Sequence, residues 1–211
     1  MQDLERITDA IRQDFENRTQ ARDRALLWSR SLTRCAAFAI RALHREEWDE
    51  YDEQIRQGQE LLNQMRQELE PLPDLYYAGY TQDAIKEYVE ARITNTIIRD
   101  LPLPGPDELG VESATYLKGM AEVPGELRRR CLDILRSGYS QEAERLLACM
   151  DDIYAVLVTM DYPDAITNGL RRQTDLVRGI VERTRGDMTI SIREEQLKTS
   201  MDALQARLDQ R

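Results

Sequence analysis

The sequence predicts an all-α fold: one domain of about seven helices spanning residues 1–211, with a very long first helix. Three observations predict it. The chain has 10 Gly and 7 Pro in 211 residues, about 8% against roughly 12% in average usage. Aromatic residues make up 6% and charged residues 32%. Residues 2–43 contain neither Gly nor Pro. A chain so poor in turn-formers does not supply the many reversals of a β-sandwich or barrel.

The elements follow in order. The first helix covers residues 2–43, and ~42 residues at 1.5 Å each give about 63 Å. A second runs from about Glu46 to Glu70 and stops at Pro71 and Pro73. A third starts near Asp74 and continues to about Asp100, before the clearest loop, Leu101-Pro102-Leu103-Pro104-Gly105-Pro106-Asp107. Helical pattern returns from about Glu112 to Gly138 with Pro124 inside it. Ser140 reads as the N-cap of a helix over Gln141–Met160, because Glu142 and Glu144 follow in its first turn. Asp161-Tyr162-Pro163 breaks the chain. Two last helices are expected at about Asp164–Arg185 and Thr189–Gln210, split by Gly186-Asp187. No internal repeat or low-complexity tract is present.

Composition excludes several function classes. No apolar run approaches the ~18 residues of a membrane span. The start, Met1-Gln2-Asp3-Leu4-Glu5-Arg6, lacks an apolar signal-peptide core. Cys35, Cys131 and Cys149 have neither disulfide-framework nor zinc spacing. A cytoplasmic protein is therefore expected. The single histidine, His44, argues against His-rich metal sites and catalytic triads.

The net charge is −10, which by itself speaks against nucleic acid as a partner. Its distribution is uneven. Residues 18–45 hold seven Arg and one acid, Asp23, a local charge near +6. At 100° per residue, Arg30, Arg34, Arg41 and Arg45 fall on one face of the first helix. Trp28, Leu32, Cys35, Ala39, Ala42 and Leu43 lie opposite. The Arg face is either a solvated surface tied to acidic neighbours or a basic surface for a phosphate backbone. Arg171, Asp175, Arg178, Glu182 and Arg185 form a second pattern, an alternating ladder that reads as helix-stabilising ion pairs.

Two acidic pairs stand out. Glu87 and Glu90 are three apart in Lys86-Glu87-Tyr88-Val89-Glu90-Ala91, and Glu122 and Glu126 are four apart in Ala121-Glu122-Val123-Pro124-Gly125-Glu126. Either spacing places both carboxylates on one helix face. Two such faces opposed make four like charges, which need a cation. Oxygen-only donors suit Mg²⁺ or Mn²⁺. Such a site can activate water and stabilise in-line displacement at phosphorus without a histidine. In so acidic a chain the spacing alone has little specificity; Glu46/Glu50 and Glu50/Glu53 match it equally well.

Lys86-Glu87-Tyr88-Val89-Glu90-Ala91 resembles the Glu-Tyr-Val-Glu-Ala motif of the translin/Trax family. Tyr116-Leu117-Lys118-Gly119-Met120-Ala121-Glu122-Val123-Pro124-Gly125-Glu126-Leu127-Arg128 is similar to that family's second motif. Arg22 to Arg24, Ser29-Arg30 and Leu43-His44-Arg45 resemble a Trax-type first helix. Gly169-Leu170-Arg171-Arg172 and Thr184-Arg185-Gly186-Asp187 look like the archaeal branch. The resemblance covers essentially the whole chain.

The resemblance implies a translin-like helical bundle that assembles into a homo-oligomeric shell of about eight subunits. It implies binding of single-stranded RNA or DNA and a Mg²⁺-dependent endoribonuclease site. Glu87, Glu90, Glu122 and Glu126 fall at the family's catalytic acids, with Arg30, Arg34, Arg41 and Arg45 as expected contacts to the nucleic-acid backbone. Two departures bear on the ligand set: the family's third acid is usually Asp where this chain has Glu122, and Pro124 stands between the two acids of the second motif. The alternative is a translin-like binding oligomer that does not cleave; retention of all four acids favours the nuclease.

Overall fold

The computed structural model describes residues 1–209. Among them all regular structure is helical: α1 (Gln2–His44), α2 (Trp48–Leu69), α3 (Pro73–Tyr76), α4 (Gly79–Ile98), α5 (Pro106–Leu109), α6 (Ser113–Leu135), α7 (Gln141–Thr159), α8 (Asp164–Thr167) and α9 (Leu170–Asp209). Three of these are single turns, leaving six long helices. The chain gathers into two compact units, one ending at Ala91 and the other beginning at Arg92.

In the first unit α1 packs along α2. The buried residues of α1 are Ala21, Ala25, Ser29, Leu32, Cys35, Ala36, Ala39, Ala42 and Leu43. Five of them are Ala, and small side chains let a partner helix approach closely. The chain reverses at Glu46, whose φ is 59°. α2 answers with Tyr51, Gly58, Leu62, Met65 and Leu69 on its buried face. Gly58 is required there by space. A Cβ at that position stands 3.0 Å from Tyr88 Cδ2 and 3.5 Å from Leu32 Cδ1. The Tyr51 hydroxyl donates to the Ala91 carbonyl at 3.3 Å, and the Tyr88 hydroxyl donates to Gln59 Oε1 at 2.8 Å. Gly58→Leu is expected to destabilise the chain by about 1–3 kcal/mol through overpacking. Urea denaturation measures this, and an unchanged midpoint refutes the close approach.

In the second unit α6, α7 and α9 pack on one another. The loop before α6 holds α5, closed by Gly110 at φ 67°, and is pinned by the Tyr116 hydroxyl donating to the Pro104 carbonyl at 2.8 Å. α6 runs through Pro124 without ending, because its burial in the unit outweighs a lost backbone bond. Ser140 caps α7 as its sequence predicts, its side chain accepting from the Glu142 N–H at 3.2 Å. Ser140→Ala should cost about 1 kcal/mol, read as a lowered thermal midpoint.

Three predicted boundaries move. The third predicted helix splits into α3 and α4, with the Tyr77-Ala78 step between them. The helix expected from Asp164 begins only at Leu170. Asn168 and Gly169 take φ of 51° and 87°, and the Gly169 N–H donates to Asp164 Oδ1 at 2.9 Å, which turns the chain after α8. The last two predicted helices are one, α9, continuing through Gly186. A mid-helix Gly costs only about 1 kcal/mol, and buried Val181, Thr184 and Met188 anchor the helix on both sides of it. Gln210, the predicted end, lies outside the described residues.

No helix is long and apolar enough to cross a membrane among the described residues. Burial pushes the thiols of Cys35, Cys131 and Cys149 up from their ordinary value, that of Cys131 to about 11. They are neutral at pH 7 and poor nucleophiles.

Candidate metal centre and nucleic-acid face

Glu87 and Glu90 stand one turn apart on α4 with Tyr88 and Val89, both fully buried, between them. The apolar residues turn inward, so the two carboxylates sit half-buried at the edge of the core. This is the placement that the flanking Tyr88 and Val89 predict.

Glu122 and Glu126 stand one turn apart on α6 and are likewise half-buried. Ala121, Val123 and Leu127 around them are buried. Glu126 Oε2 lies 3.7 Å from Arg129 Nη1. None of the four carboxylates is without partners. Each pair is two like charges on one helix face, an arrangement eased by a counter-charge, and its donors are the oxygens a hard divalent cation takes. Among the described residues, no three His, Cys, Asp or Glu side chains stand together as a cation site.

One positioning residue escapes an acid-centred reading of the sequence. Arg128 reaches from α6 to α9, pairing with Asp187 at 2.7 Å and donating to the Thr184 hydroxyl at 3.2 Å. The Arg128 side chain is 25% exposed, and Thr184 is fully buried. The contact ties α6 to α9 two residues beyond Glu126. Arg128 closes the second resembling stretch and Asp187 belongs to the last one, but nothing in the sequence pairs them.

The four arginines proposed for nucleic acid separate into two kinds. All are exposed, Arg30, Arg34 and Arg41 on α1 and Arg45 just past its end, while Leu32, Cys35, Ala39, Ala42 and Leu43 opposite them are buried and Trp28 is half-buried. Arg45 lies 4.0 Å from Glu47. The Arg41 guanidinium lies over the Phe38 ring, 5.3 Å from its centre. Both border an open hollow of about 790 Å³ that Glu46, Glu47, Asp49 and Glu50 also line, and those acids weaken any hold on phosphate there. Arg30 and Arg34 have no carboxylate partner among the described residues. The acid-pairing alternative thus holds for Arg18 with Asp74, Arg22 with Asp23 and Arg24 with Glu68, and not for Arg30 or Arg34.

The expected ladder on α9 forms only in part. Arg178 pairs with Glu182 at 2.9 Å. Arg185 turns instead to α7, where its Nη2 donates to both Asp151 oxygens at 2.6 Å.

No family model matches the chain. A Methanocaldococcus jannaschii protein, MJ0175, is 32% identical over 196 residues, 92% of this chain and 86% of its own length. Among solved structures, archaeal AfC3PO in complex with duplex RNA superposes with a TM-score of 0.79 at 30% identity, over 87% of this chain and 95% of that one. AfC3PO in a second structure gives 0.79 at 29% identity, with the same coverage. Neurospora apo-NeC3PO gives 0.79 at 21% identity over 87% and 96%, a likeness of fold.

Proposed function

This chain belongs to the translin/Trax family, and from that premise we propose that it is an oligomeric RNA-binding protein and a Mg²⁺-dependent endoribonuclease acting on single-stranded RNA, with single-stranded DNA as a second substrate. The observation that carries the reading is the pairing of Glu87 with Glu90 and of Glu122 with Glu126, each half-buried on one helix face at core-flanked positions. The likeness to AfC3PO, solved with duplex RNA, supports the RNA partner.

Each carboxylate pair, Glu87 with Glu90 and Glu122 with Glu126, would supply oxygen donors to Mg²⁺, with Mn²⁺ as a substitute of the same donor preference. When bound, the cation supplies charge neutralisation at phosphorus and a more acidic water. The chain's own residues do the rest. The carboxylates would fix the cation, Arg128 ties the helix that carries two of them to α9, and Arg30 and Arg34 would hold phosphates on the open face of α1. Glu122, one methylene longer than the family's usual Asp, would need a different side-chain conformation to reach the cation. Enclosure in a homo-oligomeric shell of about eight subunits would restrict cutting to strands that enter, giving selectivity without reading bases.

The deciding experiment is incubation of the purified protein with labelled single-stranded and duplex RNA, with Mg²⁺ and then with EDTA. Cleavage of the single strand that EDTA stops supports the nuclease. Binding without cleavage leaves the RNA-binding oligomer alone, and duplex cleavage alone overturns the substrate.

RNA affinity should fall steeply as salt rises, because bound phosphates release counterions. Replacing Arg30, Arg34 and Arg41 together by Ala should flatten the slope of log K against log salt by about 0.7 for each phosphate no longer neutralised. An unchanged slope returns this face to solvent.

A further inference from the structure

Residues 2–20 of α1 contain no buried side chain, and neither do residues 189–209 of α9. Yet both stretches are helical, and in proteins most helical stability comes from packing of an amphipathic face. Each carries an apolar stripe. On α1 it is Leu4, Ile7, Ile11 and Phe15, between 47 and 64% exposed. On α9 it is Leu197, Met201, Leu204 and Leu208, between 56 and 62% exposed. The spacings of three and four are those of a helix-pairing seam. Both stripes span eleven residue steps, about 16 Å.

Their edges differ in charge. Residues 1–17 hold five acids and two bases, and Asp3 and Asp14 border the α1 stripe. Lys198 and Arg207 border the α9 stripe, Arg193 and Glu194 flank its N-terminal end on opposite sides, and Glu195, Asp202 and Asp209 lie on the far side of that helix. Asp14, Arg193, Lys198 and Arg207 have no ion-pair partner among the described residues, and Asp3 meets Arg6 only at 3.7 Å. Two α9 stripes facing each other would set Arg and Lys against Arg and Lys, which disfavours self-pairing of that helix.

We propose that the α1 stripe of one copy of this chain packs on the α9 stripe of a second copy, acidic edge against basic edge. The contact is head-to-tail, so repetition builds a ring where the rotation between copies closes and a filament where it does not. It rests on the oligomeric reading above and names the surface that makes it.

The test is light scattering of the full chain at micromolar concentration. The wild type is expected well above the 24.5 kDa of one chain. Met201→Asp with Leu204→Asp should at least halve the mass with helix content kept, because both positions are exposed. Asp3→Arg with Asp14→Arg should do the same, as should Arg193→Asp with Arg207→Asp, and the four charge changes together should restore the wild-type mass. A large mass that the apolar changes leave intact overturns this pairing and spares the oligomer. Failure of the fourfold swap to restore the mass also overturns it. A wild type near 24.5 kDa overturns both the pairing and the oligomer, and gives the stripes to a foreign helix.

Discussion

Glu126→Ala, and separately Glu90→Ala, are expected to lower RNA cleavage by on the order of a hundredfold or more, with RNA binding and helix content nearly unchanged. Each substitution removes one carboxylate from the proposed cation site, and a cation at phosphorus would lower the barrier by several kcal/mol, at about 1.4 kcal/mol per tenfold. Neither residue is deep in the core; both are half-buried at its edge, so the truncated side chain leaves no closed cavity. Binding is kept because the proposed phosphate contacts are the exposed arginines of α1. Glu→Gln at the same positions separates charge from shape, since Gln keeps the volume and loses the anion. Cleavage by both Ala variants at the wild-type rate removes the carboxylates from the reaction. Loss of binding together with cleavage assigns them to RNA contact instead.

Removing Arg128 approaches the same site from behind. Arg128→Leu leaves Asp187 without its partner at 2.7 Å and frees α6 to rotate against α9. Cleavage should fall with little change in RNA affinity, and Arg128→Lys should recover part of the rate. Equal rates in the Leu variant and the wild type would show that α6 is held by its apolar face alone.

The helices of this chain were legible wherever one face alternates cleanly with the other. α1 reads from the absence of Gly and Pro, and of the residues expected opposite its arginines Leu32, Cys35, Ala39, Ala42 and Leu43 are buried and Trp28 half-buried. α7 reads from Ser140 and its acidic first turn. The misread places turn on glycine and asparagine. Gly186 looks like a stop and is carried inside α9, while Asn168-Gly169 looks helical and is a left-handed turn. A single Gly punctuates a helix only when tertiary packing does not hold both sides, and sequence spacing does not show that packing. The acid pairs were legible as pairs for the same reason helices were, through spacing. Arg128 was not, because its role depends on Asp187, 59 residues later in the chain. The division among the α1 arginines was hidden likewise: only three-dimensional placement shows that Arg24 meets Glu68 while Arg30 meets no acid among the described residues.

Leu32→Ala is expected to destabilise the chain by about 2–5 kcal/mol. Leu32 is fully buried, and its Cδ1 lies 3.5 Å from the point where a Cβ on Gly58 would stand, with Tyr88 Cδ2 at 3.0 Å from that point. Three helices, α1, α2 and α4, therefore meet around one small volume. The cavity left by the missing isobutyl group has little means to collapse. Gly58 has no side chain to move into it, and the Tyr88 ring is held at its far end by the bond from its hydroxyl to Gln59, 2.8 Å long. The loss should fall toward the upper end of the range for that reason. Leu27→Ala on the same helix is the control: Leu27 is 61% exposed, and its truncation should stay within about 0.5 kcal/mol. Urea denaturation followed by circular dichroism measures both, and a Leu32→Ala loss under about 1 kcal/mol would show the packing to be loose. Because residues in contact do not add independently, Leu32→Ala combined with Gly58→Leu should cost less than the sum of the two, as the new side chain enters space the old one vacates. The consequence reaches the candidate site, since Tyr88 stands between Glu87 and Glu90. Leu32→Ala should lower cleavage at temperatures where the protein is still folded, without touching a carboxylate.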